Sequence, residues 1–540
     1  MTAIIYALLG VVVAYAGFRL FTMGNRHPRM PPGPPTAPII GNAHQIPTTG
    51  LGKKFAEWSK QYGDIFSLKV GPTNIVVLCS PKAVNDLLNK KGSIYSDRPQ
   101  MAVANFVTHG DHLTLENQGP SWRDKRSIVT RNFNPMQLDQ KHFHVQEAEA
   151  VVFMNNLLRH PEDIFSYAKL YTASVAGVLI YGHRAKTLDA FWNKDVYDML
   201  EQWLATQEAG ANPPVEEFPF LWYLPGSWKK RAYKTRQSMD DVWDRAREIV
   251  DARRLKGDKR DCLIDTKLDE YNKNGYPMSP HAFNNLFGEL LEAGADTTAN
   301  QMLTLILALA KYPEFQLRAR KEIDAVCGAD RAPQFSDFDK LPYVNAIVKE
   351  GMRWRPTAHA GLPHLVTKGK QLNPAIYALD LTFRVPDDEY EGMFIPKNTT
   401  IFIGIYAMHQ NEKLYPEHEK FNPDRFLDHP KLANDYAVGP DWAKRDHYGY
   451  GAGRRMCPGI HLAERNMWRI TAKLLWAFDI APALDPVTKQ PVELDEHAYT
   501  SAILTRPMPY RIRVSPRSDA HMRAIERELD GALEFLKQWD

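Results

Sequence analysis

Apolar residues run without a charge from Met1 to Phe18, and Arg19, Arg26, His27 and Arg29 follow them. That run approaches the ~20 residues a helix needs to cross a bilayer. A cleaved signal peptide carries charge ahead of its apolar core and small residues at a cleavage site, so the order here predicts an uncleaved anchor. The trailing basic residues place the rest of the chain on the cytosolic side. Pro31-Pro-Gly-Pro-Pro35 then removes most amide donors, which predicts a stiff hinge after the anchor.

Beyond the hinge the pattern changes to period two. Ile65–Val70 and Thr73–Leu78 alternate, and Gly71-Pro72 between them predicts a β-hairpin. Helical periodicity dominates afterwards. Ser279 as N-cap, Pro280 in the first turn and a stop before Pro313 predict one helix of about 30 residues, roughly 45 Å long. A helix of that length must cross the whole domain. Met522, Ile525, Leu529, Leu533, Leu536 and Trp539 recur at three- and four-residue spacing. The tail therefore reads as an amphipathic helix docked on the surface, with a membrane or partner contact as the alternative. No linker, repeat or low-complexity block divides the middle. The expected organisation is an anchor over 1–21, a basic and proline-rich hinge over 22–38, one large domain over 39–516 and a helical tail over 517–540.

Composition narrows the class. With 540 residues, 44% hydrophobic and 24% charged, the chain can bury a substantial core. A net charge of +3 on 67 basic and 64 acidic side chains gives no nucleic-acid footprint. Cys79, Cys262, Cys327 and Cys457 form no C-x-x-C pair, so neither a zinc site nor a disulfide framework is indicated, and a reducing compartment is expected. Taken singly, each cysteine reads as a small buried hydrophobe. Only Cys457 has a setting that changes the reading.

Tyr450-Gly-Ala-Gly-Arg-Arg-Met-Cys-Pro-Gly459 packs three glycines, two arginines and a cysteine before a helical stretch starting near Ile460. Glycines admit backbone amides close to a sulfur. Amide hydrogen bonds, a helix N-terminus and nearby arginines all favour thiolate over thiol, and a thiolate so held is a metal ligand. The loop resembles the haem-binding signature F-x-x-G-x-R-x-C-x-G of the cytochrome P-450 superfamily, matched by Gly453, Arg455, Cys457 and Gly459. Tyr450 stands where the family usually has Phe, a change expected to affect redox tuning or packing more than binding.

The resemblance implies a mainly α fold with small β-sheets, preceded here by one transmembrane helix, and a cofactor, heme b (iron protoporphyrin IX), with iron on Cys457. A thiolate ligand donates electron density that favours cleavage of the dioxygen bond. It further implies haem contacts from Trp122 and Arg126, spaced i,i+4 on one helical face, and from His364, Tyr450 and Arg455. A lone histidine is by default structural, but Gly361-Leu-Pro-His-Leu-Val-Thr367 is similar to the family's propionate-contacting strand.

Ala293-Gly-Ala-Asp-Thr-Thr298 is an odd choice for a helix interior, since Gly294 costs about 1 kcal/mol against Ala. The Thr297 hydroxyl can take the Ala293 carbonyl and loosen the helix. The segment resembles the family's A/G-G-x-D/E-T-T motif, which makes Asp296 and Thr297 the candidates for proton delivery. Glu350-Gly-Met-Arg353 matches the family's E-x-x-R, and Arg425 in Phe421-Asn-Pro-Asp-Arg-Phe426 supplies the second arginine of an expected buried network. These three are read as structural. One departure stands out. Between Thr367 and Ile395 the chain is about 18 residues longer than the family pattern, over Lys368 to Val385, either a surface loop or a retained intron.

The implied reaction is reductive activation of dioxygen, with one oxygen atom inserted into an organic substrate and the other leaving as water. No flavin or nicotinamide fingerprint is present, so electrons are expected from an NADPH-cytochrome reductase docking on Arg123, Lys125, Arg131 and Arg454. The pocket is expected to be lined from residues 101–115, 218–224, 295–298, 358–362 and 499–504, mostly apolar, which suits a lipophilic substrate. The nearest resemblance is to fungal microsomal members that tailor secondary metabolites, single-pass proteins of the endoplasmic reticulum membrane. Phenol coupling or desaturation by the same centre is the alternative chemistry. A haem protein that does not activate oxygen is the alternative class.

Overall fold

The computed structural model describes residues 2–208, 210–367, 388–500 and 502–540. The segment Lys368 to Val385, read above as loop or retained intron, lies outside the described residues. Helices dominate and the sheets are small.

The alternation at residues 65–78 becomes two antiparallel strands, β1 (Ile65–Val70) and β2 (Thr73–Leu78), paired from Ile65 with Leu78 to Val70 with Thr73. Their sheet is completed by β3 (His364–Leu365) and β6 (Thr400–Ile403), in the order β1-β2-β6-β3, with β2 and β6 parallel. Between them lies the hairpin of β4 (Asp388–Tyr390) and β5 (Met393–Ile395); β7 (Phe478–Pro482) pairs with β8 (Ile512–Pro516). The register places His364 opposite Ile401, so the sheet itself positions that histidine. The proline segment is not a free spacer: Ser67 donates from its amide to Pro32 O at 2.8 Å, and Arg26 holds Gly33 O at 2.9 Å.

The long helix spans Pro280–Lys311, 32 residues. Its start is fixed as the residues predict, with the Ser279 hydroxyl accepting from the Ala282 amide at 3.0 Å and Pro280 in the first turn. It runs through the largest core cluster, where Leu286, Leu291, Leu303, Ile306 and Leu309 are buried. The neighbouring helix Ile164–Tyr181 is nearly apolar all round because it is buried all round. By length and composition it could cross a membrane, but its burial makes it a core helix. Among the described residues the other helix long and apolar enough to cross is Ile4–Thr22, whose apolar side chains are exposed.

The tail forms a helix over Asp519–Leu536 whose backbone is tied to the domain: Asn155 Nδ2 donates to Ile525 O at 3.1 Å. Its buried face is His521, Ala524, Ile525, Ala532, Leu536 and, just beyond, Trp539. Leu533, expected inside, is exposed. The small residues Ala524 and Ala532 take the inner positions, where close helix approach leaves no room for leucine.

Candidate active site

Cys457 sits between a turn and a helix. The preceding residues Gly453–Arg455 form a single 3-10 turn, and the helix Ile460–Ala477 begins three residues beyond the sulfur. Gly453 has φ +66, and a Cβ there would stand 2.3 Å from Leu88 O, so glycine is required on both counts. Its amide donates to Asn89 Oδ1 at 2.9 Å, which ties the loop to the opposite wall. The Cys457 amide donates to Tyr450 O at 2.9 Å. Burial pushes the Cys457 thiol up, while a hydrogen bond from the Gly459 backbone and the charge of Arg126 pull it down. Without iron, burial wins. The ring of Tyr450 is centred 5.5 Å from that of His447.

Around this loop the structure gathers arginines, Arg455 buried and Arg126 half-buried. Arg126, on the helix Pro120–Asn132, donates through Nη2 to Met456 O, beside the cysteine. Arg455 donates through Nε to Ser96 O at 2.6 Å and through Nη2 to Glu116 O at 2.5 Å, and its guanidinium lies 4.4 Å from the centre of the Trp122 ring. Trp122 also carries Arg126, at 5.6 Å. His364 Nδ1 is 2.9 Å from Tyr95 O, so Nδ1 carries the proton and Nε2 is the free face of the ring.

A third arginine belongs to the group and was not foreseen. Arg98, in Tyr95-Ser-Asp-Arg-Pro99, is buried and donates to Thr114 O at 2.8 Å, Leu362 O at 3.0 Å and Pro363 O at 2.6 Å. It arrives there because the Leu365 amide bonds Asp97 O at 2.7 Å, lacing residues 95–98 to β3. No local pattern marks it. Among the described residues, none of Arg98, Arg126 and Arg455 reaches a carboxylate within ion-pair distance, and Arg455 Nη1 is buried with no partner. Burial presses all three below the usual guanidinium range; neighbouring arginines add to it at Arg98 and Arg455, while Asp97 and Glu116 pull Arg455 back up and Cys457 does the same for Arg126. Buried and half-buried cations with no carboxylate in ion-pair reach, beside a thiol, fit a group that brings its own carboxylates and a metal. Haem is such a group.

On the long helix the Thr297 hydroxyl donates to Ala293 O at 2.7 Å, the bond expected from the sequence. Ala293 is exposed within an otherwise buried helix, so this stretch forms an accessible wall. Asp296 is buried, and its Oδ2 accepts from Asn300 Nδ2 at 2.9 Å. Burial raises its carboxyl above the ordinary range, against the pull of Arg506 and Lys169. A carboxyl so placed sits closer to neutral pH, the range useful for passing protons.

The structural network forms as read. Glu350 and Arg353 meet through two 2.7 Å hydrogen bonds, both side chains fully buried, and Arg425 Nε stands 3.6 Å from Glu350 Oε1. Next to it a second buried pair, Lys349 with Asp446 at 2.7 Å, fixes the approach to the cysteine loop. Two expectations fail. Lys125 is not on a docking face: it is 1% exposed and paired with Glu116, because its helix turns that side inward beside Asp111 O. Arg123, Arg131 and Arg454 are exposed. The stretch 218–224 does not close over a pocket with all its residues, since Phe220, Tyr223 and Leu224 point outward at 62%, 84% and 51% exposure.

Comparison with known proteins places most of the chain in one family. The family described as cytochrome P-450 matches residues 31–514. A protein named cytochrome P-450 monooxygenase patI, from Aspergillus clavatus, is 38% identical over 525 residues, covering 96% of this chain and 95% of its own. The cytochrome P-450 monooxygenase acuD of Aspergillus aculeatus is 38% identical, covering 99% and 97%. The monooxygenase yanC of Aspergillus niger is 37% identical, covering 100% and 98%.

Proposed function

The chain belongs to the cytochrome P-450 monooxygenases, which bind heme b through a cysteine thiolate, and from that premise we propose a membrane-anchored enzyme that oxidises a lipophilic small molecule of fungal secondary metabolism. The observation that carries the site assignment is the set of three guanidiniums without carboxylate partners around Cys457, two buried and that of Arg126 half-buried. In this reading Cys457 Sγ ligates the iron. Arg98, Arg126, His364 and Arg455 hold the carboxylates of the cofactor, and Trp122 braces Arg126 and Arg455 so that their planes stay fixed. When bound, haem supplies reductive activation of dioxygen, which a thiolate ligand promotes.

The rest of the work falls to side chains. Asp296 takes protons from the side of Lys169 and Arg506, whose charges act on its carboxyl. Thr297, its hydroxyl proton committed to Ala293 O, offers its oxygen lone pairs to a water that passes a proton inward. Asn300 holds the Asp296 carboxylate in one orientation. Electrons come from an NADPH-cytochrome reductase on the same membrane, meeting Arg123, Arg131 and Arg454. The exposed apolar helix Ile4–Thr22 provides the anchor, in the endoplasmic reticulum membrane with the domain cytosolic.

Microsomes carrying the chain with a reductase test this. The expected result is a product one oxygen heavier from a fungal metabolite extract, dependent on NADPH and oxygen, and lost in Cys457→Ala together with the haem. Turnover that needs neither NADPH nor oxygen would overturn it.

A further inference from the structure

Away from the cysteine site, one group of metal-ligating side chains converges from three chain segments. His109 lies in the loop after the helix Ala102–Val107, Asp240 on the helix Ser227–Leu255, and His281 in the first turn of the long helix. His109 Nε2 is 3.0 Å from Asp240 Oδ2, and His281 Nε2 is 3.3 Å from Asp240 Oδ1. All three ligand atoms lie within 4.8 Å of one another. Bonds of 2.0–2.1 Å in a tetrahedral zinc site set ligand atoms about 3.3 Å apart; each imidazole already stands near that distance from one oxygen of Asp240, and a small rotation of the carboxylate brings a single oxygen to both.

The surroundings are those of a metal-bound histidine. His281 Nδ1 faces Asp111 Oδ2 at 2.7 Å, the outer carboxylate that orients an imidazole and keeps its far nitrogen protonated. All four side chains are 29–31% exposed, which leaves room for a water as fourth ligand. His109 has φ +53, an uncommon backbone for a side chain of its size, of the kind that collects at ligand clamps.

We propose that His109, Asp240 and His281 bind one divalent transition ion of the zinc class, with Asp111 as the positioning carboxylate. Two nitrogens and one carboxylate suit zinc, cobalt or nickel and disfavour calcium and magnesium, which want oxygen. The ion clamps the loop after Val107 to two helices from outside. The inner side of that loop is already held, where the Leu113 and Thr114 amides donate to Glu289 of the long helix at 2.7 and 3.0 Å. The clamp therefore stiffens a segment lying over the long helix.

Arg236 separates this proposal from a plain pair of histidine–aspartate contacts. Its Nη2 stands 2.9 Å from His109 Nδ1, which requires that nitrogen as acceptor and puts the proton on Nε2. Coordination through Nε2 moves the proton to Nδ1 and displaces the guanidinium. Arg236 has another seat, on Phe106 O at 3.2 Å and over the Phe106 ring at 4.8 Å. Removing it therefore favours the ion.

The test uses untagged, full-length, haem-loaded protein stripped with chelator and dialysed against zinc chloride, with metal counted per haem. The proposal expects one zinc per chain at micromolar free zinc. Binding is lost in a His109→Ala/His281→Ala double variant, weakened about tenfold in Asp111→Asn, and tightened in Arg236→Ala. An unchanged haem spectrum in each variant reports an intact fold. Wild-type protein that takes up no zinc, or that takes up as much as the double variant, overturns the proposal. So does Arg236→Ala binding zinc more weakly.

Discussion

Two groups of arginines, one around Glu350 and one around Cys457, differ in whether a carboxylate of the chain reaches them. At Glu350 the carboxylate accepts two 2.7 Å bonds from Arg353 and a third from the Asn422 amide at 2.8 Å. The remaining Arg353 donors reach the carbonyls of His409, His418 and Lys420. Around Arg98, Arg126 and Arg455 the partners are neutral carbonyls, and Arg455 Nη1 has none. The first set has its carboxylate within the polypeptide, whereas the second, in the proposed function, receives one from outside it. Burial of charge alone does not separate a structural site from a binding site. The identity of the partner does.

The largest way to break the contrast is Glu350→Gln, which leaves Arg353 buried without its counter-charge. A loss of about 3–5 kcal/mol is expected, read as collapse of folded protein or of its unfolding midpoint. Arg455→Leu is expected to act in the opposite sense on haem-free protein, leaving it unchanged or slightly more stable. Its haem loss, followed by transfer to a scavenging apoprotein, rises by about 10–100-fold, the worth of one to two charge-assisted bonds. Equal destabilisation with and without haem would erase the distinction between the two sets.

His364 sharpens the contrast by pH. Burial and the charges of Arg98 and Arg455 lower its value to about 3 against an ordinary 6.5. The unfolded chain therefore takes up a proton below about pH 6.5 that the folded chain refuses. Stability of the haem-free protein falls as pH drops through that window, and His364→Asn flattens the slope by up to about 1.4 kcal/mol per pH unit. A slope identical in the variant would place the acid sensitivity elsewhere. The smallest effect belongs to Arg425→Ala. Its side chain is 13% exposed and 3.6 Å from Glu350, so a cost of about 1 kcal/mol is expected, well below that of Glu350→Gln in the same unfolding assay.

Features written locally in the sequence were legible. The hairpin at residues 65–78, the Ser279 cap, the Thr297 bond to Ala293 and the Glu350–Arg353 pair each join residues close in sequence, and each forms as expected. Features made by distant packing were not. Arg98 is buried by Leu362 and Pro363, 264 and 265 positions away, and nothing near it announces that. Lys125 looks like any solvated cation until Glu116 and the Asp111 carbonyl draw it inward. The tail showed the same limit, since periodicity announces a helix but small residues decide which side faces in.

Gly453 and Asn89 touch across 364 positions of chain. The wall that receives the cysteine loop is thus among the first parts of the domain to be synthesised, and the loop is among the last. Contacts of such separation carry a high closure entropy and form late in folding. Cofactor capture therefore belongs to the nearly finished chain. A ribosome that stops shortly before Gly453 releases a chain with the receiving wall and without the loop that carries Cys457.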